Sequence, residues 1–193
     1  MPISLCKIGW GIRGLISKIS YKHIGRLTYM GRPIFISGKD RISIGNRVRL
    51  FPGSRMEAIG NGGIEIEDDV SIGQNLHMIS EGSLLRIGMR TTISANVFIT
   101  NTEHRYDEYD VHIMKQKRSM KETQIGENCF LGYGAVIMAG VRLGNNSIVG
   151  ANAVVREGIY PDGCVLAGVP AKIIRRYDPK RNTWDKVRKT ESE

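Results

Sequence analysis

"IGENCFLGYGAVIMAGVRLGNNSIVGANAVV", residues 125–155, carries an aliphatic residue at every sixth position: Ile125, Leu131, Ile137, Leu143, Val149 and Val155. Six is a multiple of the strand period of two, but it is not a multiple of the helix period of 3.6. On a helix, six residues would turn the chain by about 600°, so these side chains would spread over three faces. The spacing therefore predicts short β-strands whose large side chains all point inwards.

The same period continues upstream in shorter runs, between which the register slips by a few residues. The runs are Ile24, Met30, Ile36 and Ile42; Ile44, Leu50 and Met56; Ile66, Ile72, Met78 and Leu84; and Ile87, Ile93 and Ile99. Glycine often follows the large residue, where it permits a corner or a close backbone approach. A small or β-branched residue stands four positions after the large one, as Ala135 does after Leu131. This pattern is typical of a hexapeptide-repeat β-helix, in which three hexads close one triangular coil.

Two segments lie outside the repeat and divide the chain into three parts. Residues 1–23 contain aliphatic residues at three-to-four spacing together with basic residues, which predicts an amphipathic helix. This helix either caps the first coil or, through residues 1–22, rests on an anionic membrane surface. Residues 24–176 form the β-helix domain, and residues 177–193 are polar and basic with one tryptophan, which we interpret as a short C-terminal helix and tail.

Composition favours one globular domain that has an anionic partner. The 193 residues are 41% hydrophobic, and the net charge is +9. An excess of positive charge suits a phosphorylated cofactor, an acidic membrane surface or a nucleic acid, but the basic residues are scattered and no nucleic-acid-binding motif is present. Three cysteines without CxxC spacing, and no apolar signal region at the start, predict a cytoplasmic protein.

The longest interruption of the repeat follows Ile99, because the next hexad starts only at Ile125. The inserted loop, residues 105–124, contains Tyr106 and Tyr109 beside acidic residues, a combination that suits a sugar acceptor. "FITNTEH" precedes the loop and ends at His104, at the edge of the predicted coil. Histidine has an ordinary pKa of about 6.5, so a neutral imidazole is available near neutral pH and can act as a general base. No histidine pair has metal-ligand spacing, and no metal is expected.

The hexads, the interrupting loop, "NTEH" and the ending "LAGVPAKIIRRYD" together resemble the hexapeptide-repeat acetyltransferases. The similarity covers about residues 40–178 and is greatest to bacterial sugar O-acetyltransferases that modify lipopolysaccharide O-antigen and capsule; the galactoside and maltose acetyltransferases are also similar. It implies an all-β fold with a left-handed parallel β-helix. It also implies a homotrimer with sites between subunits, acetyl-CoA as the donor, and His104 as the catalytic base.

Matching positions extend the resemblance to binding residues. For the cofactor they are Tyr133, Ala151, Val155, Arg156, Lys172 and Arg175. The pantetheine arm would run along the edge of the C-terminal coils, and the last two residues would lie near the nucleotide phosphates, for which Arg and Lys are chemically suited. An acceptor-contacting asparagine of the family matches Gly73, so the nearby Asn75 is the candidate in this chain.

The resulting hypothesis is direct transfer of acetyl to a sugar hydroxyl of a cell-surface polysaccharide or its precursor. Cys129 falls at an interior repeat position and is not expected to act as a nucleophile. The alternatives are N-acetylation of an amino sugar or sugar nucleotide, a zinc enzyme of the γ-carbonic anhydrase class, and a non-catalytic scaffold. The anhydrase needs three ligand histidines, and this chain lacks the close histidine pair. A scaffold would not require the loop after His104.

Overall fold

A computed structural model describes residues 5–187, and side chains from residue 7 onwards; residues 1–4 and 188–193 lie outside the described part. The main body is a β-helix built from three sheets, which the chain visits in turn. Sheet A has seven parallel strands, stacked in the order β1 (His23–Ile24), β4 (Ile42–Ile44), β7 (Gly63–Ile66), β10 (Leu84–Ile87), β15 (Gln124–Ile125), β18 (Val141–Leu143) and β21 (Gly158–Tyr160).

The other two sheets complete the triangle. Sheet B stacks β2 (Tyr29–Met30), β5 (Arg49–Leu50), β8 (Ser71–Ile72), β11 (Thr92–Ile93), β16 (Phe130–Leu131), β19 (Ile148–Val149) and β22 (Cys164–Gly168). Sheet C stacks β3 (Phe35–Ser37), β6 (Arg55–Ile59), β9 (His77–Glu81), β12 (Phe98–Thr100), β17 (Val136–Ile137) and β20 (Val154–Val155). The parallel solenoid of hexapeptide repeats predicted from the sequence is therefore confirmed.

The coil interior is filled as the repeat predicts. Of the six aliphatic residues in 125–155, five are fully buried and Leu143 is 3% exposed. The small positions, such as Ala135 and Ser147, are fully buried as well. One predicted interior residue is wrong: Leu84 is 48% exposed, and its neighbour Leu85 is fully buried instead. The turn at Gly82 and Ser83 shifts the register by one residue, which exchanges the inward and outward faces of a strand.

The recurring glycine is explained by close approach between coils. A Cβ on Gly132 would lie 2.6 Å from the backbone nitrogen of Ala151 in the next coil. The left-handed backbone conformation occurs two residues further on, for example at Asn128 and Asn146, with φ values of 52° and 56°. Asparagine tolerates this conformation better than most residues. The corner position that requires close approach between coils and the position that adopts a positive φ are therefore different residues, two apart along the chain.

The N-terminal helix, α1, spans Leu5–Ser17 and packs on the first coil. Trp10 contacts the rings of Tyr29 and Phe51, at centroid distances of 5.9 and 5.5 Å. The predicted amphipathic helix is therefore confirmed for its described residues. Within residues 5–187, no helix is long and apolar enough to cross a bilayer.

The C-terminal helix predicted within residues 177–193 is wrong for residues 177–187, which the structure describes. The chain instead forms β23 (Ala171–Asp178) and β24 (Thr183–Lys186), two antiparallel strands that extend sheet B beyond β22. The turn between them has Pro179 and Asn182, and the Asp178 carboxylate accepts a hydrogen bond from the Lys180 backbone at 2.8 Å. Asn182 has a positive φ of 53°, which suits a turn and not a helix. Tyr177 and Trp184 pair across the hairpin.

The inserted segment contains regular secondary structure and is not an irregular loop throughout. Strand β13 (Thr102–His104) pairs antiparallel with β14 (Arg118–Met120), and a short 3₁₀ helix lies at Ile113–Lys115. The Gln116 side chain is buried and donates to the Glu108 and Val111 carbonyls, both at 2.9 Å. Around it the β-helix is continuous, because β15 pairs with β10, the strand before the insertion in the same sheet.

Candidate active site

His104 lies at the end of β13, where the chain has left sheet C and begins the insertion. It is half-buried, stands opposite Arg118 in the antiparallel pair, and lines a groove of about 630 Å³. Its Nδ1 atom is buried and has no hydrogen-bond partner among the described residues. His104 therefore lies at the wall of an open groove, with Nδ1 turned away from solvent.

Buried polar side chains fix both ends of the insertion. Asn101 is fully buried; its amide nitrogen donates to the Ser80 hydroxyl at 3.2 Å, and its oxygen accepts from the Glu81 backbone at 2.7 Å. At the other end, the buried Thr123 hydroxyl donates to the Thr100 carbonyl at 2.9 Å. Satisfied buried hydrogen bonds of this kind define one conformation, because breaking them leaves polar atoms without partners.

A second set of contacts joins the antiparallel pair β13 and β14, here called the His104 hairpin, to sheet C. The Glu81 carboxylate accepts from the Thr102 hydroxyl and from the Arg118 guanidinium, both at 2.9 Å. The Glu81 and Arg118 side chains are only 21% and 32% exposed, so solvent screens their ion pair incompletely. Glu81, Asn101 and Arg118 are not predicted as site residues from the sequence. The polar run after Ile99, where an apolar hexad should have continued, was the available signal.

The groove combines an apolar floor with charged walls. Phe98, Met138 and Val154 contribute the apolar part from sheet C and its edge. The charged residues are Glu103, Lys121, Arg156 and Glu157. Lys121 forms an ion pair with Glu157, and this hydrogen-bonded carboxylate holds the pKa of Lys121 above its ordinary value. The groove thus brings His104 and the predicted cofactor residue Arg156 together within one chain.

The two tyrosines predicted to bind the acceptor are placed differently. Tyr106 lines the groove beside His104 and is largely exposed. Tyr109 is 98% exposed and is not among the residues that line this groove. Of the pair, only Tyr106 is positioned next to the candidate base in the isolated chain.

Three further predicted residues share a different corner of the coil. Asn75, Tyr133 and Ala151 all lie between a strand of sheet B and the following strand of sheet C. The Asn75 amide donates to Asn96 at 2.9 Å, and the Asn96 amide donates to the Tyr133 hydroxyl at 2.6 Å. This polar column, which includes the unpredicted Asn96, is separated from the His104 corner by the width of sheet C.

The remaining cofactor candidates belong to the last coil and the hairpin. The Val155 side chain is fully buried in the coil interior, so a side-chain contact with a bound cofactor is excluded and only its backbone can contribute. Lys172 and Arg175 are exposed on β23. Because β23 runs antiparallel to β22, both lie on the hairpin that extends sheet B, and neither lines the His104 groove.

Neither of the two cysteines whose side chains are described is suited to be a nucleophile. Cys129 is 2% exposed and Cys164 is fully buried, and burial raises the pKa of the Cys129 thiol to about 11. A thiol with such a pKa is almost entirely protonated near neutral pH and reacts slowly. Within residues 5–187, no group of three or more His, Cys, Asp or Glu side chains is arranged to hold a metal ion.

A second groove, of about 670 Å³, lies beside the C-terminal hairpin. Phe130, Tyr177 and Trp184 supply aromatic surface, and Asp162 supplies a carboxylate. The sequence does not reveal this groove, because Tyr177, Pro179 and Trp184 lie in the segment that is predicted as a C-terminal helix.

Comparisons with known proteins agree with this architecture. Residues 122–157 match the family described as "Bacterial transferase hexapeptide (six repeats)". The chain is 31% identical over 180 residues to the Escherichia coli (strain K12) protein named "Putative lipopolysaccharide biosynthesis O-acetyl transferase WbbJ", covering 90% of this chain and 89% of that protein.

Two solved structures share the fold. AntD, an N-acyltransferase from Bacillus cereus in complex with dTDP and 3-hydroxybutyryl-CoA, superposes with a TM-score of 0.75 at 18% identity, covering 88% of this chain and 90% of AntD. The hexapeptide-repeat acetyltransferase VCA0836 from Vibrio cholerae gives a TM-score of 0.63 at 24% identity, covering 90% and 82%. At these identities the likeness concerns the fold alone.

The repeat, the interrupted coil and the similarity along 90% of the chain place this protein in the bacterial hexapeptide-repeat transferases. Within that class it is an acetyltransferase.

Proposed function

We propose that the protein transfers acetyl from acetyl-CoA to a hydroxyl group of a sugar, in a cell-surface polysaccharide or its precursor. The similarity to WbbJ, whose name refers to lipopolysaccharide O-acetylation, supports the acceptor class. VCA0836 has been solved in complex with acetyl coenzyme A, which supports the donor. The observation that carries the proposal is the half-buried His104 at the wall of an open groove that also contains Arg156.

His104 acts as a general base in this mechanism. Its Nδ1 is buried, so Nε2 is the ring atom that can meet a substrate in the groove. Nε2 takes the proton from the sugar hydroxyl as the oxygen attacks the thioester carbonyl carbon. The tetrahedral intermediate then collapses, the carbon–sulfur bond breaks, and coenzyme A leaves either as the thiol, with the proton from His104, or as the thiolate, with the proton passing from His104 to water. A backbone N–H at the groove edge stabilises the oxyanion, and no enzyme-bound acetyl intermediate forms.

The complete site is shared between protomers of a homotrimer. Within one chain, His104, Arg156 and Tyr106 lie at one side of sheet C, whereas Tyr133 and Ala151 lie at the corner on its other side. A pantetheine arm that runs along the corner containing Tyr133 and Ala151 would have to cross sheet C to bring its thioester to His104 of the same chain. In a homotrimer with sites between subunits, which the family resemblance implies, His104 and Arg156 of one chain would face the Tyr133 and Ala151 corner of its neighbour.

His104→Ala tests the mechanism. Loss of general-base catalysis should lower kcat by about 10²–10⁴-fold. Binding of acetyl-CoA, measured by calorimetry, should be retained. His23→Ala is the matched control, because His23 is an exposed histidine on sheet A, outside the groove, and should leave turnover unchanged. Full activity in His104→Ala would eliminate His104 as the base.

The acceptor is identified by measuring acetyl-CoA-dependent thiol release across a panel of sugars, sugar nucleotides and polysaccharides. Treatment of the product with hydroxylamine then distinguishes the two chemistries, because an O-acetyl ester is cleaved and an N-acetyl amide is not. A hydroxylamine-resistant product would replace O-acetylation with N-acetylation.

A further inference from the structure

The apolar face of α1 points away from the protein. Ile8, Ile12, Leu15 and Ile16 are 50%, 53%, 64% and 65% exposed, and Ile19 in the following turn is 92% exposed. At about 100° per residue, the four helical residues fall within an arc of about 100°. A surface helix of a globular protein normally buries this stripe against the core, so its orientation here needs an external partner.

The opposite face is the one that holds the helix on the coil. Trp10 packs against Tyr29 and Phe51, and Gly14 is so close to the first coil that a Cβ would lie 2.6 Å from the Thr28 carbonyl oxygen. A half-turn rotation that buried the aliphatic residues would bring a side chain into the position now occupied by Gly14. The packing of the first coil therefore fixes the outward direction of the apolar stripe.

The charge of the N-terminal segment itself is entirely positive. Residues 1–39 contain seven basic residues and no aspartate or glutamate; the first acidic residue is Asp40. Lys18 and Lys22 are exposed at and beyond the end of the helix, and Arg13 is half-buried on it. A second copy docking through the same helix would bring these like charges together. An anionic lipid surface instead matches both the apolar stripe and the positive charge.

We propose that α1 lies flat on an anionic lipid bilayer, with Ile8, Ile12, Leu15, Ile16 and Ile19 inserted among the acyl chains and the basic residues at the headgroups. The helix has 13 residues, about 20 Å of length, so it lies in the interface and does not span the hydrocarbon core. The surface is independent of the acetyl-transfer site, and the proposal holds whether or not His104 is the base.

The experiment is flotation of the full chain with vesicles. Wild-type protein should float with phosphatidylcholine vesicles containing about 30 mol% phosphatidylglycerol. Binding should be weak with pure phosphatidylcholine, and about 1 M salt should reduce it by screening the basic residues. Replacing two outward residues, Ile12→Glu with Ile16→Glu, should reduce the bound fraction at least about tenfold, because carboxylates are expelled from the acyl region.

The matched control is Leu84→Glu with Ile159→Glu. These positions lie on sheet A, are 48% and 82% exposed, and receive the same change in charge, so vesicle binding should stay close to that of the wild type. Acetyl-CoA binding and the circular dichroism spectrum are measured on every preparation, which separates a failure of this proposal from a failure of the proposed enzyme activity.

Three outcomes would overturn the proposal. The first is that wild-type protein does not float with anionic vesicles. The second is that the helix variant and the control lose binding equally, which would show a general charge effect. The third is that the helix variant changes only the mass of the oligomer in sedimentation, which would assign the apolar face to a second copy of the chain.

Discussion

His77 is a histidine whose position on sheet C keeps it partly out of water. Its ring packs edge-on against Phe98 at a centroid distance of 5.1 Å, and its Nε2 is buried without a partner among the described residues. Burial, assisted by the nearby charge of Arg55, lowers the pKa of His77 below its ordinary value, although Glu57 acts in the opposite direction. The folded protein therefore disfavours the protonated ring.

This lowered pKa predicts a pH-dependent stability. Between the folded and unfolded pKa values, the unfolded chain binds more protons, so the free energy of unfolding decreases as the pH falls below about 7. His77→Leu removes the titrating group and should make the loss of stability between about pH 7.5 and 5.5 smaller than in the wild type. Urea unfolding at the two pH values measures this. Parallel losses in both proteins would contradict the assignment.

The position of His104 along the chain can be predicted from the sequence, whereas the contacts that hold it in the site cannot. The sequence predicts His104 at the end of the interrupted coil, and in the structure this residue lines a groove; its role as the base stays a prediction. The contacts of Asn101 and Glu81 that hold its hairpin were not predicted, because they join residues 20 or 21 positions apart along the chain. Tertiary stacking alone brings them together.

At the scale of one element, adjacent side chains of strand β11 point in opposite directions, one into the coil and the other to solvent. Ile93 is 1% exposed and points into the coil, whereas Thr92 is exposed. Ile93→Ala should lower the free energy of unfolding by about 2–5 kcal/mol, because it removes buried methyl groups and leaves a cavity. Thr92→Ala should change it by less than about 0.5 kcal/mol. Urea unfolding followed by circular dichroism measures both, and similar effects would show that the repeat register is wrong.

The C-terminal segment shows the limit of element prediction. "AKIIRRYD" and "TWDK" lack the spacing of six, and basic residues near a chain end fit either a helix or a strand. In the structure, β22 offers an open sheet edge, and β23 covers it. Exposed strand edges favour pairing, so the coil below decides the conformation of this segment.

At the scale of the whole molecule, the proposed shared site predicts complementation between inactive chains. His104→Ala inactivates the base side, and Ala151→Trp should block the cofactor corner, where Ala151 is exposed. Each variant alone should be inactive. In trimers formed by random mixing of equal amounts, about one quarter of the interfaces combine an intact His104 with an intact Ala151 corner.

The measurement is acetyl-CoA-dependent turnover after the two variants are produced together. Recovery of about one quarter of the wild-type activity is expected for sites between protomers. If each site were instead built within one chain, no mixed trimer would contain an intact site, and the activity would stay at the level of the separate variants.

The β-helix, the interruption at residues 105–124 and the position of His104 beside it can be predicted from the order of residues alone. These features are local and periodic: a hexad repeats its large residue, its glycine and its small residue wherever it occurs, so the pattern can be read along the chain. Composition likewise located the basic first 39 residues.

Which residues share a surface depends on the folding of the whole chain. It placed Arg156 with His104, moved Asn75 and Tyr133 to another corner, buried Val155 and turned the apolar face of α1 outwards. The physical reason is that the position of each of these side chains depends on the coil edge or sheet face that packs next to it. The residues that form this edge or face are a full coil or more away along the chain. Burial against them stabilises a conformation more than the helix or strand propensity of the local sequence does.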